Sequence, residues 1–148
     1  MRKLVIANRG AGGIGKSSAI KAVYQLLKDK DYKAIEEQWQ GGDIKAIFEV
    51  NGVKVGIGSQ GDPDSEMEPN MEAFVEEGCD IIVTACRMKS DTYHKVVDYL
   101  GEEQDYDIIW YGHFVYQVTG MEKVQETLNE AYAEQVVKLI EERIVGKF

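Results

Sequence analysis

Hydrophobic positions along the chain follow two spacings, one typical of buried strands and one typical of amphipathic helices. Short apolar runs at 3–8, 80–85 and 107–116 are typical of parallel strands that are buried on both faces. Apolar residues recurring at intervals of three and four predict helices, which are expected over 16–29, 70–77, 90–100 and 121–144. The resulting alternation of strands and helices predicts a mostly parallel sheet with helices on both faces.

A hairpin interrupts this alternation after the first helix. The pattern predicts strands over 44–50 and 53–59, joined by an Asn-Gly pair that favours a type I′ turn. Such a turn sets Glu49 opposite Lys54, which is an attractive cross-strand pair. The predicted fold is therefore one three-layer α/β/α domain over residues 1–148, with a mostly parallel five-stranded sheet and the first hairpin strand as its antiparallel edge.

Composition and net charge limit the kinds of molecule that the chain is expected to bind. The chain has 148 residues, 44% of them hydrophobic, which fits one ordered domain, and its formal net charge of −9 argues against binding to nucleic acid or anionic membranes. No apolar run approaches the roughly 20 residues that a membrane-spanning helix needs. Cys79 and Cys86 form no metal-binding pattern and are expected to be reduced, buried thiols. A cytoplasmic location is expected.

A glycine-rich loop lies between the first strand and the first helix, within the sequence NRGAGGIGKSS at 8–18. Its spacing is G-x-x-x-x-G-K-[ST], formed by Gly10, Ala11, Gly12, Gly13, Ile14, Gly15, Lys16 and Ser17. Glycines let successive backbone N–H groups converge on one phosphate, and the following helix adds its free amides and the positive end of its dipole. The loop is therefore a candidate phosphate-binding site.

This strand–loop–helix unit resembles the Walker A motif of the P-loop NTPases, and the resemblance covers about 4–27 of the chain. It implies that 10–18, including Ser18, bind the phosphates of ATP, that Lys16 contacts the β- and γ-phosphates, and that Ser17 binds Mg²⁺. The glycines also fit the G-x-G-x-x-G spacing of dinucleotide-binding folds, but the Lys-Ser ending favours the P-loop.

The order of the elements is similar to that of the small nucleotide- and metabolite-kinases and the GTPases. That resemblance implies that strand 53–59 lies beside the first strand and carries an acidic residue for the metal at its carboxyl end. Ser59 and Gln60 occupy that end instead, so Asp62 is the expected second Mg²⁺ residue. A simple turn role for Asp62, before Pro63, is the alternative.

Arg87 directly follows the strand at 80–85, on the side where ligands bind in parallel sheets. There it could bind an anionic acceptor or stabilise a transferring phosphoryl group, so Lys16, Asp62 and Arg87 are the candidate catalytic residues. The alternative for Arg87 is a solvated arginine that pairs with the acidic surface.

The function expected from the resemblance is transfer of the γ-phosphoryl group of ATP to a small-molecule acceptor. ATP is favoured over GTP because Met88-Lys89-Ser90-Asp91 departs from the guanine-reading N/T-K-x-D motif. The short connection at 101–107 leaves little room for the arginine-bearing lid of such kinases. Two alternatives stay open: an ATPase or switch that acts on a protein partner, with Gln60 positioning water, and a protein that binds nucleotide without catalysis.

Overall fold

The protein is described here by a computed structural model that covers residues 1–10, 16–112 and 122–148. Within these residues lie six strands, four α-helices and one π-helical segment. In chain order they are β1 (Leu4–Arg9), α1 (Lys16–Asp29), β2 (Lys33–Gln40), β3 (Asp43–Val50), β4 (Val53–Gly58), α2 (Met67–Glu76), β5 (Ile81–Cys86), α3 (Asp91–His94), the π-helical segment (Lys95–Glu103), β6 (Asp107–Gly112) and α4 (Glu122–Ile144). The predicted continuation of the last strand over 113–116 lies outside the described residues.

The strands form one mostly parallel sheet in the order β2-β3-β4-β5-β1-β6. Strand β1 is parallel to both β5 and β6, and β4 is parallel to β5. Strand β3 is antiparallel to both of its neighbours, β2 and β4. The protein is therefore an α/β domain in which the carboxyl ends of β1, β4, β5 and β6 share one edge of the sheet.

The hairpin and the first helix agree closely with the sequence-based prediction. Helix α1 has the predicted bounds, 16–29, and Glu49 pairs with Lys54 across the hairpin. The turn residues Asn51 and Gly52 have φ angles of 48° and 85°, the left-handed pair that a type I′ turn requires. The hairpin prediction is confirmed in both its register and its turn.

The prediction of five strands was wrong, because β2 adds a sixth at the edge of the sheet. Its sequence, KAIEEQWQ, is largely charged or polar, as is usual for edge strands, which avoid aggregation this way. A bulge between Ala34 and Glu36 also breaks its alternation. Ile35 and Trp39 are 47% and 56% exposed. The strand therefore lacks the apolar run by which buried strands are recognised.

The predicted neighbour of β1 was also wrong. Strand β5 lies between β1 and β4, since Ile81 pairs with Leu4 on one side and with Val55 on the other. The loop that follows β4, which contains Asp62, therefore starts two strands away from β1. It reaches the first turn of α1 by crossing the end of β5, where Gly61 contacts Ala85.

Two cores cover the faces of the sheet. Helices α1 and α4 pack on the face of β1 that carries Leu4 and Ile6, whereas α2 and the π-helical segment pack on the face that carries Val5 and Ala7. The thiols of Cys79 and Cys86 are free and buried, as expected. No helix in the described part of the chain is long and apolar enough to cross a membrane.

Candidate functional site

A polar cavity of about 150 Å³ lies at the carboxyl edge of the sheet, beside the first turn of α1. Its lining residues come from α1, the start of β3, the loop after β4 and the end of β5. They are Lys16, Ser17, Asp43, Ser59, Gln60, Gly61, Asp62, Ser65 and Ala85. Of the glycine-rich motif, Ala11, Gly12, Gly13, Ile14 and Gly15 lie outside the described residues.

Lys16 is the buried cation of this cavity. The motif predicts an exposed loop lysine, but Lys16 is only 6% exposed. Its Nζ donates to the carbonyl oxygens of Gly10, at 2.5 Å, and of Cys86, at 3.0 Å. Burial lowers the pKa of Lys16, and the negative charge of Asp62 partly offsets that shift. Lys16 is thus held between the ends of β1 and β5, with its charge partly desolvated.

Asp43 is the carboxylate that contacts the motif serine. Ser17 Oγ donates to Asp43 Oδ1 at 2.5 Å, and Ser59 Oγ donates to the same oxygen at 2.8 Å. Ser59 is itself fixed by the Ile44 backbone, because Ile44 N donates to Ser59 Oγ at 2.9 Å and Ser59 N donates to Ile44 O at 3.0 Å. Lys21 Nζ also donates to Gly42 O at 2.9 Å, which attaches the β2–β3 turn to α1.

Asp62 lines the same cavity, but its carboxylate pairs with an arginine rather than with serine hydroxyls. Its Oδ1 accepts a hydrogen bond from Arg87 Nε at 2.9 Å, and the two side chains are 63% and 38% exposed. Its backbone oxygen accepts from Ser65 Oγ at 2.6 Å, which is the turn role considered from the sequence. The structure therefore places Lys16, Ser17 and Asp62 on one cavity and holds Arg87 beside it through Asp62.

Ser18, the last residue expected at the phosphates, lies elsewhere. It lines the groove between α1 and α4 rather than the polar cavity. Its neighbours in that groove include Ala22, Glu126 and Ala133. In this conformation Ser18 makes no part of the cavity lining.

Gly61 brings the loop after β4 against the end of β5. A Cβ atom at Gly61 would lie 2.7 Å from the Ala85 Cβ and 2.8 Å from the Ala85 carbonyl carbon, closer than real side chains approach. Only glycine fits this contact without a shift of the backbone. Sequence reasoning did not single out Gly61, although the close contact is what lets Asp62 reach the cavity.

Gln60 belongs to a network of side-chain amides. Its Nε2 donates to Gln40 Oε1 at 2.7 Å, and its Oε1 accepts from Glu66 N at 3.0 Å. Gln40 and the buried Asn70 exchange two further hydrogen bonds, at 2.9 and 3.0 Å. Both ends of the Gln60 amide are therefore engaged in joining β2 and α2 to the loop after β4.

The donor set of the cavity suits a hard cation. Ser17, Asp43 and Ser59 offer hydroxyl and carboxylate oxygens, the ligand type that Mg²⁺ prefers. Across 1–10, 16–112 and 122–148 there is no cluster of three or more His, Cys, Asp or Glu residues that could enclose a metal. Mg²⁺ does not need one, because it is commonly held by one or two carboxylates together with water and phosphate oxygens.

Similarity to other proteins adds no further constraint on this site. Comparisons with protein-family models, with curated proteins and with solved structures find no match to the chain. The residues that this cavity brings together are therefore the only guide to the function of the chain.

Proposed function

We propose that the chain is an ATP-binding P-loop protein of three-layer α/β/α architecture that transfers the γ-phosphoryl group to a small-molecule acceptor with the help of Mg²⁺. The observation that supports this most directly is the meeting of Lys16 and Ser17 of the G-x-x-x-x-G-K-S motif with Asp43 and Asp62 in one cavity. The cavity lies beyond the carboxyl ends of parallel strands, where α/β sheets bind their ligands.

In this proposal Lys16 binds the phosphates. Its ammonium group has three N–H donors, and the carbonyls of Gly10 and Cys86 take two of them. Partial burial strengthens its attraction for an anion because solvent screening is weaker there. The N-terminus of α1 favours negative charge at the same place.

Ser17 and Asp43 are the residues proposed to hold Mg²⁺, with Ser59 orienting the Asp43 carboxylate. When bound, the metal supplies positive charge that neutralises phosphate oxygens and stabilises charge developing in phosphoryl transfer. Asp62 is proposed as a second, outer carboxylate on the metal side.

Arg87 is proposed to act on the transferred or accepting group. It lies at the end of β5, and its guanidinium is partly exposed and bound through one nitrogen to Asp62. Positioned positive charge is the main requirement of phosphoryl transfer. The engaged amide of Gln60 favours a structural role for that residue over water activation, which in turn favours the kinase over the ATPase alternative.

The phosphate-binding role is tested by Lys16→Met, with Lys28→Met as the control on the same helix. Lys28 forms an exposed ion pair with Glu37, remote from the cavity. Titration calorimetry with Mg-ATP should show a loss of roughly 10- to 150-fold for Lys16→Met, because hydrogen bonds to charged groups contribute about 1.5–3 kcal/mol. Lys28→Met should bind as the unsubstituted chain does. Equal affinities for all three proteins would contradict the proposal.

The reaction class is tested by measuring ATP turnover with and without a panel of small-molecule phosphate acceptors. For a kinase, Arg87→Ala should lower acceptor-dependent turnover by about 100-fold while ATP affinity stays unchanged, whereas Lys89→Ala, an exposed neighbour, should have no effect. Acceptor-independent turnover that depends on Gln60 and not on Arg87 would support the ATPase or switch instead.

A further inference from the structure

A cluster of one cation and two aromatic rings lies next to the phosphate-binding motif. The cation is Arg9, which directly precedes Gly10. Two of its guanidinium nitrogens, Nη2 and Nε, donate to Met88 O at 2.8 and 3.3 Å. Its guanidinium carbon lies 4.5 Å from the ring centroid of Tyr93 and 5.5 Å from that of Trp110. The end of β1, the start of α3 and β6 thus converge on one point.

The two rings of this cluster are stacked. The centroids of Tyr93 and Trp110 are 5.6 Å apart and their planes differ by 19°. Arg9 and Tyr93 thereby fix the orientation of the Trp110 ring, through cation–π and stacking contacts. Such a ring loses little further conformational entropy when a ligand binds to it.

Trp110 keeps 39% of its surface exposed even though it belongs to the sheet. Among the described residues, β6 is the last strand in the order of the sheet. Along β6, Trp110 pairs with Ala7, and Gly112 pairs with Arg9. The Trp110 backbone therefore lies about three residues, or roughly 10 Å along the strand direction, before the level of Gly10 of the motif.

We propose that Trp110, held in place by Arg9 and Tyr93, is the platform on which the purine base of the bound ATP stacks. This proposal rests on the proposed function and extends it from the phosphates to the base. Stacking on an aromatic ring uses the π-face that every base has, so it needs no hydrogen-bonding motif. That agrees with a chain in which the guanine-reading string is replaced by Met88-Lys89-Ser90-Asp91.

The fluorescence of Trp110 gives the first test. The chain has two tryptophans, so Trp39→Phe leaves Trp110 as the only one. Mg-ATP should quench its emission saturably, whereas Mg-tripolyphosphate, which has the phosphates without a base, should bind and leave the emission unchanged. Equal responses to the two ligands, or no response to bound ATP, would overturn the proposal.

Affinity gives the second test. Trp110→Ala should weaken Mg-ATP binding by roughly 5- to 150-fold, the range known for loss of base–aromatic stacking, and Trp110→Phe should restore most of it. Tripolyphosphate affinity should stay the same in both variants. Trp39→Ala, at the other exposed tryptophan, is the matched control and should change neither ligand. If Trp110→Ala does not fold, the fluorescence result and Trp110→Phe decide.

The outcomes separate this proposal from the function on which it rests. Tripolyphosphate binding that depends on Lys16, together with ATP binding that is indifferent to Trp110, would leave the phosphate site standing and reject the base platform. Quenching by AMP that ATP does not displace would assign the ring to a nucleotide acceptor and reject the platform for ATP. Failure of the unsubstituted chain to bind either ligand would reject both proposals.

Discussion

Asp43 and Asp62 line the same cavity, yet the protein holds them in opposite ways. Asp43 accepts hydrogen bonds from Ser17 and Ser59, both on one carboxylate oxygen. Asp62 is 63% exposed and accepts from Arg87, which is itself partly exposed. One carboxylate is fixed by hydroxyls on two packed elements, and the other is held by a surface ion pair.

This difference bears on which carboxylate can position a metal. An exposed ion pair usually contributes little to stability, since solvent screens it and two flexible side chains must be ordered to form it. A carboxylate fixed by two hydroxyls is already oriented before a ligand arrives, which lowers the cost of binding. We therefore expect Asp43 to matter more for Mg²⁺ and Asp62 to act mainly through its charge.

The largest expected effect is on ATP binding, when the charge of Asp43 or of Asp62 is removed by substitution with asparagine. Asp43→Asn should weaken Mg-dependent ATP binding by roughly 10- to 100-fold, the range found when groups that orient or hold a metal are changed. Asp62→Asn should stay within about threefold, as expected for a screened surface charge. ATP titrations at several Mg²⁺ concentrations measure both.

Asp64→Asn is the matched control for these two variants, because Asp64 is an exposed carboxylate of the same loop outside the cavity lining. Its ATP affinity should equal that of the unsubstituted chain at every Mg²⁺ concentration. A larger loss in Asp62→Asn than in Asp43→Asn would reverse the ranking and return the metal to the residue that the sequence indicated.

A smaller effect is expected from the residue that orients Asp43. Ser59 is 1% exposed, and Ser59→Ala leaves Ile44 N without its acceptor and removes one hydrogen bond to Asp43. Loss of a buried hydrogen-bond partner should lower the free energy of unfolding by about 1–3 kcal/mol in urea denaturation.

Thr127→Ala is the control for Ser59→Ala, because the Thr127 hydroxyl is exposed and donates only to the Lys123 backbone oxygen one turn earlier in α4. It should change the free energy of unfolding by no more than about 0.5 kcal/mol. If both variants were equally stable, the fixed orientation of Asp43 would lose its support.

The sequence identified the motif and the hairpin because each depends on local rules. The bounds of α1 and the pairing of Glu49 with Lys54 follow from periodicity and turn chemistry within a few residues. The order of strands across the sheet is set by packing between distant segments. For that reason the resemblance in element order, which implied that strand 53–59 lies beside β1, mispredicted the position of β5 between β1 and β4.

Asp43 was missed for a reason that follows from strand direction. Sequence reasoning searched for acidic residues just after strands, because the ends of parallel strands share the ligand-binding edge. Strand β3 runs the other way, so its first residue, Asp43, lies at that same edge. The sequence did carry a signal for Asp43, because this residue directly precedes the strand predicted over 44–50 and that strand was expected to be antiparallel.

The smallest expected effect is a shift in the pH dependence of ATP affinity, which distinguishes the two carboxylates by their influence on the charge of Lys16. Burial lowers the pKa of Lys16 and the Asp62 carboxylate raises it, while Asp43 is not among the groups that shift it. A lysine binds phosphate only while protonated, so ATP affinity should fall as the pH rises through this lowered pKa, earlier than for an exposed lysine with a pKa near 10.4. The same shift makes the folded state hold its proton less tightly than the unfolded state, so this group's contribution to stability increases with pH across that window.

Asp62→Asn should therefore move the alkaline decline in ATP affinity to lower pH, whereas Asp43→Asn should weaken binding without moving it. Titrations with Mg-ATP from pH 7 upward, continued until the affinity stops falling, measure the midpoint of that decline. Lys16→Arg is the control, because a guanidinium stays charged throughout this range and should remove the decline even if its affinity is lower. A midpoint that shifts equally in both aspartate variants would show that the two carboxylates have the same influence on the pKa of Lys16. The difference between Asp43 and Asp62 would then lie only in how firmly hydrogen bonds hold each side chain.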